Sequence, residues 1–436
     1  MCALVFAASA VGLTPACGLP PIQGAGAGEG EGEGEGEGEG EGEPSGFDVA
    51  VTPNTIPCEV PAAWPIALPS PVHAYVLHLR DESERPIGEQ LMAALDRAWG
   101  QELALGFPEP PGDEGACGDD DAIDVFLFAG SELAYVDYMD IITATPFSDV
   151  GPFLVIDYEY WLDSTVAHEL NHTMQAACDW NETAFIYEAS SQFIEETLFD
   201  SENSYRELLF DYQGQADRAI DYDDGYAGYY LYGSVLYLLY LDETTFADDP
   251  TWLGRLWISA RSIEDPANDF VEPDIEDVLD DMLQSARSMS FIDSVVEFAR
   301  WRYYLSDNDD GRHFSEAAEL LSDAKVPELA LEVGGSTSAA LSELGSLYLS
   351  LSGAADAVVV VTVTGALDQA TLVAQGLPGL DGSDGERIAG STSFNVTLST
   401  AGKRILALTL VPPAARADPD VVERPRVTLG FAAAAP

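Results

Sequence analysis

The stretch Asp163-Ser-Thr-Val-Ala-His168-Glu169-Leu-Asn-His172-Thr-Met-Gln-Ala-Ala177 decides how the chain is read. His168 and His172 stand four residues apart, so on an α-helix they project from one face, one turn above the other. Two neutral imidazoles at that spacing suit Zn2+, and the acid directly after the first can serve as general base toward a water. Val166, Leu170 and Met174 recur at four-residue steps and predict the buried side of the helix, with Asp163 or Ser164 as its cap. The bland alternative is an exposed helix with two incidental histidines, and the flanking sequence speaks against it.

Ahead of this helix, residues 72–79, 123–129 and 153–157 read as strands and residues 87–105 as an amphipathic helix. A sheet there can floor the histidine helix, and an edge strand can take an extended peptide by main-chain pairing. Behind it the chain turns helical: 183–198, entered through Asn181 as cap, then 225–241, 275–286 and 291–304. The 225–241 segment carries no charge, but it is short and Tyr-rich for a membrane span, which favours a buried helix behind an active cleft. From residue 329 the period becomes two. Leu347, Leu349 and Leu351, then Val359, Val361 and Val363, then Phe394, Val396 and Leu398, then Leu406, Leu408 and Leu410 alternate with small or polar residues, as in an all-β sandwich-like domain.

The chain has 436 residues, 47% of them hydrophobic, enough for two or three domains with substantial cores. Its 18 Lys+Arg against 76 Asp+Glu give a net charge of -58. Such a surface repels nucleic acid and anionic lipid, keeps an exported protein soluble, and could attract cationic substrates. Eight of the acids lie in an alternating Gly-Glu tract over residues 24–43, which buries nothing, repels itself and reads as a disordered tether.

Residues 3–13 are apolar and about the length of a signal-peptide core, although the first basic residue is Arg80; a signal sequence starting upstream of Met1 is expected. Leu13-Thr-Pro-Ala-Cys17 is a loose match to a bacterial lipoprotein cleavage box, with Leu13 one position early and Pro15 unusual. A lipid anchor at Cys17 is the only membrane contact expected, on an extracellular or cell-surface protein. Cys58, Cys117 and Cys178 then remain, and export permits one disulfide among three pairings. Cys178, six residues past His172, reads more simply as a small core residue.

A catalytic zinc needs a third protein ligand. The metzincin continuation fails, because Gln175 and Cys178 stand where it requires Gly and His. The next helix offers Phe185-Ile-Tyr-Glu188-Ala-Ser-Ser-Gln192-Phe-Ile-Glu195-Glu196, with Glu188 sixteen residues after His172. At these residues the chain resembles the gluzincin-type zinc metalloproteases, in which the third ligand is a Glu on a following helix. It is most similar to uncharacterised bacterial secreted metalloproteases in which His-Glu-x-x-His-x-x-Gln precedes an aromatic-x-x-Glu-x-Ala-like segment. The resemblance covers thirty to forty residues and none of the β region. It implies that His168, His172 and Glu188 bind zinc and that Glu169 activates the water. Glu195, two turns from Glu188 on the same face, is both a substitute for the Asp that orients a zinc histidine in thermolysin-like enzymes and the rival third ligand. Gln192 stands where that Asp would be.

The expected protein is thus α+β: a signal-like segment (1–16), a tether (17–46), a zincin-like metallopeptidase domain (47–325) and a β-sandwich accessory domain (328–436). It would be a monomer acting on peptide or protein substrates. The competing expectation is a catalytically silent zincin fold used for surface binding or adhesion. Tyr229, Tyr230, Tyr232 and His313 are eligible oxyanion donors, with none singled out. His73 and His78 fall on opposite faces of one expected strand and are poor joint ligands.

Overall fold

The computed structural model describes residues 63–113, 121–129, 134–141, 145–159, 161–180, 182–223, 229–262, 273–320, 324–367, 369–378, 386–389, 392–413 and 425–436. The signal-like segment, the tether, the Cys17 box, Cys58, Cys117 and Asn181 lie outside the described residues.

Strands β1 (Ile66–Pro69), β2 (Tyr75–Leu79), β3 (Ile123–Phe128), β4 (Ala134–Ile141) and β5 (Val150–Asp157) form one sheet in the order β1-β2-β3-β5-β4. The central three run parallel; β1 and β4 are antiparallel to their neighbours. Helix α1 (Arg85–Ala104), with Pro86 in its first turn, makes the crossover from β2 to β3. Leu77, Leu79, Val125, Leu127, Leu154 and Ile156 bury one face of the sheet against the helices. On the other face Phe126 packs with Trp64, His78 and Phe153. His73 is not on a strand: it precedes β2 and stacks on Trp99 at 4.9 Å, while His78 on β2 pairs with Asp124.

Helix α2 (Asp163–Gln175) carries the two histidines and packs against α1, β4 and β5. Its cap differs from the expectation. Leu162 is the N-cap and makes no side-chain cap bond, while Asp163, already helical, pairs with Arg97. Packing outweighs the missing cap. A cap is worth about 1 kcal/mol, whereas Val166, Leu170 and Met174, at most 1% exposed, each contribute roughly 1.5–3 kcal/mol. Helix α3 (Ala184–Phe199) follows across a short turn in which the Tyr187 hydroxyl donates to the Asp179 carbonyl, 2.5 Å away. Its N-cap is Thr183. Cys178 is a buried free thiol in the same core.

The remaining helices are α4 (Tyr205–Gly214), α5 (Tyr230–Gly233), α6 (Val235–Thr244), α7 (Trp252–Ser259), α8 (Ile275–Arg287) and α9 (Phe291–Trp301). The single helix expected over 225–241 is therefore two short ones meeting at Ser234; residues 224–228 lie outside the described part. Gly233 at the break rests against α4, where a Cβ would stand 2.4 Å from Tyr212 Cβ. Gly233→Ala is expected to cost about 1–3 kcal/mol by overpacking, read as a lowered thermal midpoint. Among the described residues no helix is long and apolar enough to cross a membrane.

The C-terminal region is all β: β6 (Glu328–Glu332), β7 (Ser336–Ser342), β8 (Ser346–Ser352), β9 (Val358–Thr364), β10 (Thr371–Leu377), β11 (Glu386–Ala389), β12 (Ser393–Thr397), β13 (Lys403–Val411) and β14 (Arg426–Ala434). They form two sheets, β11-β10-β13-β8-β6 and β12-β9-β14-β7. The alternating Leu and Val residues point inward and share one core. This layer is docked on the helices. Tyr348 of β8 donates to the Ala299 carbonyl of α9 at 2.6 Å, and Ser346 N donates to Ala216 O at 2.7 Å.

Candidate metal centre

His168 and His172 rise from α2 toward Glu188 on α3, and the ligand atoms of all three lie within 4.8 Å of one another. Glu188 Oε2 is 3.3 Å from His168 Nε2 and 3.8 Å from His172 Nε2. Two donors held about 2.0–2.1 Å from one zinc at a tetrahedral angle stand about 3.4 Å apart, so the cluster is sized for that ion. The helices approach closely here because Ala189, Ser190 and Ser191 follow Glu188; Ser190 accepts from the Trp257 indole at 3.0 Å.

Both imidazoles are held from behind. His168 Nδ1 lies 2.7 Å from Glu195 Oε1, and Glu195 is fixed in turn by Gln192 and by the Ser204 hydroxyl at 2.6 Å. His172 Nδ1 lies 2.8 Å from Gln175 Oε1. The Gln175 amide donates to Asn171 Oδ1 at 2.8 Å and to the Tyr187 carbonyl at 3.1 Å, and Asn171 donates to Glu102 Oε2 at 2.9 Å. An acceptor at each Nδ1 places the proton there, so each Nε2 presents a lone pair toward Glu188.

Lone pairs therefore converge in a buried space. His172 Nε2 and both Glu188 oxygens make no hydrogen bond among the described residues, and Glu188 is 0% exposed. Burial raises the Glu188 carboxyl above its ordinary pKa, with His168 opposing, and burial followed by the adjacent His168 pushes His172 well below its own. Such a group of donors is costly to bury without a cation. Two imidazoles and one carboxylate are the donor set of a catalytic zinc site, and the residues fit that ion.

Glu195 lies on the Nδ1 side of His168, turned away from Nε2. It orients the imidazole, and Gln192 braces it. Glu169, next to His168, is fully buried beside the cluster. Burial lifts Glu102 well above the carboxylate range.

Of the eligible donors, Tyr230 gives its hydroxyl to the Ala219 carbonyl at 2.7 Å, Tyr229 is 45% exposed, and His313 is held by Asp310 and stacks on Tyr304. Tyr232 lies beside the site, its ring 6.2 Å from that of His168. The sequence reading missed Tyr138 on β4. Its hydroxyl is buried with no hydrogen-bond partner among the described residues, and its pKa is raised well above the ordinary value by burial and then by the charges of Glu169 and Glu188. The register of β4 against β5 shifts between Tyr138 and Ile141. The signal for Tyr138 lay in Ala134-Tyr-Val-Asp-Tyr138, whose alternation is short and interrupted by Asp137.

No protein-family model matches the chain, and no curated protein matches it. Among solved structures it is similar to a periplasmic inhibitor of g-type lysozyme from Aeromonas hydrophila, at 13% identity, covering 24% of this chain and 99% of that one with a TM-score of 0.17. It is also similar to the pre-peptidase C-terminal domain of a Bacillus anthracis collagenase, at 12% identity, covering 24% and 96% with a TM-score of 0.17. At that TM-score neither likeness carries an argument, and the α+β architecture with its β-rich C-terminal region rests on the chain's own elements.

Proposed function

We propose that the chain is an exported, zinc-dependent metallopeptidase with a zincin-like catalytic domain. The observation that carries this reading is the convergence of His168 Nε2, His172 Nε2 and Glu188 on one buried point, with Glu169 on the adjoining turn of α2. His168, His172 and Glu188 would hold the ion. When bound there, zinc supplies Lewis-acid polarisation of a carbonyl and eases the ionisation of a water.

The chain's own residues supply the rest. Glu169 accepts a proton from the attacking water at its carboxylate and returns it to the leaving amine. Glu195 and Gln175 keep the two imidazoles in the tautomer that leaves Nε2 free of a proton. β4 ends the sheet order and flanks α2, so an extended peptide can pair with its outer edge and pass over the site. The Tyr138 hydroxyl is our candidate donor to the developing oxyanion. Tyr138→Phe is expected to lower kcat by about 10²–10³-fold while zinc content stays constant.

A second reading, a zinc-stabilised binding protein without turnover, draws on the burial of all four side chains, each at most 3% exposed. Metal analysis joined to cleavage of an unfolded protein substrate separates the two. The peptidase reading expects about one zinc per chain and hydrolysis abolished by a zinc chelator. Zinc with no turnover across a broad peptide library favours the binding reading, and absence of zinc overturns both.

A further inference from the structure

Asp200 follows directly on the end of α3, and Glu316 precedes the 3-10 turn Ala317–Glu319. Carboxylate oxygens of Glu196, Asp200 and Glu316 lie within 4.8 Å of one another. This group sits at the far end of α3 from Glu188, two turns along, and its donors are oxygen only.

Three carboxylates at that spacing repel, and one of them has lost its solvent. Glu196 is 9% exposed, and its Oε2 is buried with no hydrogen-bond partner among the described residues. Burial, then the charges of Glu316 and Asp200, push its carboxyl up to about 7, with the Arg206 guanidinium opposing. Arg206 bonds to Glu316 Oε2 and to Glu319 Oε2, at 3.1 Å each, and among the described residues makes no direct ion pair with Glu196 or Asp200. The Tyr205 hydroxyl also donates to Glu316 Oε2, at 3.0 Å. Both contacts fall on one oxygen, Glu316 Oε2.

We infer that Glu196, Asp200 and Glu316 form a calcium site, separate from the histidine centre, that ties the end of α3 to the segment leading into the β region. Ca2+ takes six to eight oxygens at about 2.3–2.6 Å with loose geometry, so three carboxylates completed by water suit it, whereas zinc and other transition metals prefer nitrogen or sulfur donors. A partial cage beside Arg206 binds weakly, with a Kd on the order of 10⁻⁴ M, as in extracellular calcium modules. The adjacent residue, Glu195, orients His168, so the site would also steady the helix that holds the histidine centre.

The test uses the whole chain freed of divalent ions, melted with and without millimolar calcium chloride and titrated by calorimetry. Calcium should raise the melting midpoint by about 2–4 °C and give a saturable heat. Glu196→Gln should lose both responses. That variant also guards against misfolding, because it relieves the repulsion of Glu196 by Glu316 and Asp200 and should melt at or above the parent in calcium-free buffer. Glu188→Gln should keep the full calcium response, since it touches only the histidine centre. An equal shift with magnesium, an undiminished calcium shift in Glu196→Gln, or loss of the shift in Glu188→Gln each overturns the assignment, as does the absence of any response in the parent.

Discussion

Glu188→Ala is expected to reduce bound zinc from about one per chain to near none after dialysis, while Glu195→Ala keeps the metal at about 10–100-fold weaker affinity. The difference follows from which side of His168 each acid occupies. Glu188 faces the Nε2 atoms of both histidines, at 3.3 and 3.8 Å, and is the one charged donor among them. Removing it leaves two neutral imidazoles, which cannot close a site against water. Glu195 faces Nδ1 at 2.7 Å, so its loss frees the ring to turn and lowers its basicity but removes no donor. Zinc content and competition with a chromophoric chelator read both variants. Equal loss from the two would mean that Glu195 is a ligand after all. In chelator, Glu188→Gln should melt no lower than the parent, because the carboxylate it replaces is buried without a hydrogen bond.

Much of this arrangement was legible from residues 163–196. The four-residue spacing of His168 and His172, the apolar Val166-Leu170-Met174 stripe and the following helix with Glu188 are local patterns that a helix expresses directly. Glu195 was legible only as two alternatives, a group orienting His168 or a rival third ligand, because two carboxylates on one helical face look alike in sequence. Only the pitch and approach of α3 against α2 decide which meets Nε2 and which meets Nδ1. Tyr138 was hidden for a related reason. Its strand carries Asp137 and Asp140 among apolar residues, and its pairing with β5 is a long-range contact that period-two reading does not see. The break at Gly233 depends on Tyr212 of α4, again a tertiary neighbour. The β region was read well because one-sided burial imposes strict alternation, while its docking through Tyr348 on α9 had no local signal.

Glu169→Gln is expected to lower peptide hydrolysis by about 10²–10⁴-fold while zinc stays bound. The substitution keeps the volume of a side chain that is 0% exposed, so core packing on α2 is preserved. It exchanges a group that can take a proton for an amide that cannot, and it leaves His168, His172 and Glu188 untouched. The effect should therefore fall on kcat, with KM changed little, since in the proposed binding mode the peptide is held by the edge of β4 and not by Glu169. Metal analysis and a melting curve measured alongside the assay establish that site and fold persist. A variant that keeps zinc, melts with the parent and hydrolyses peptide at the parent's rate would remove Glu169 from the chemistry. The buried three-donor cluster would then fit a metal-stabilised binding protein better than a peptidase. The contrast with Glu188→Ala is what makes the pair informative: one variant loses the ion and therefore everything downstream of it, the other keeps the ion and loses only the proton transfer.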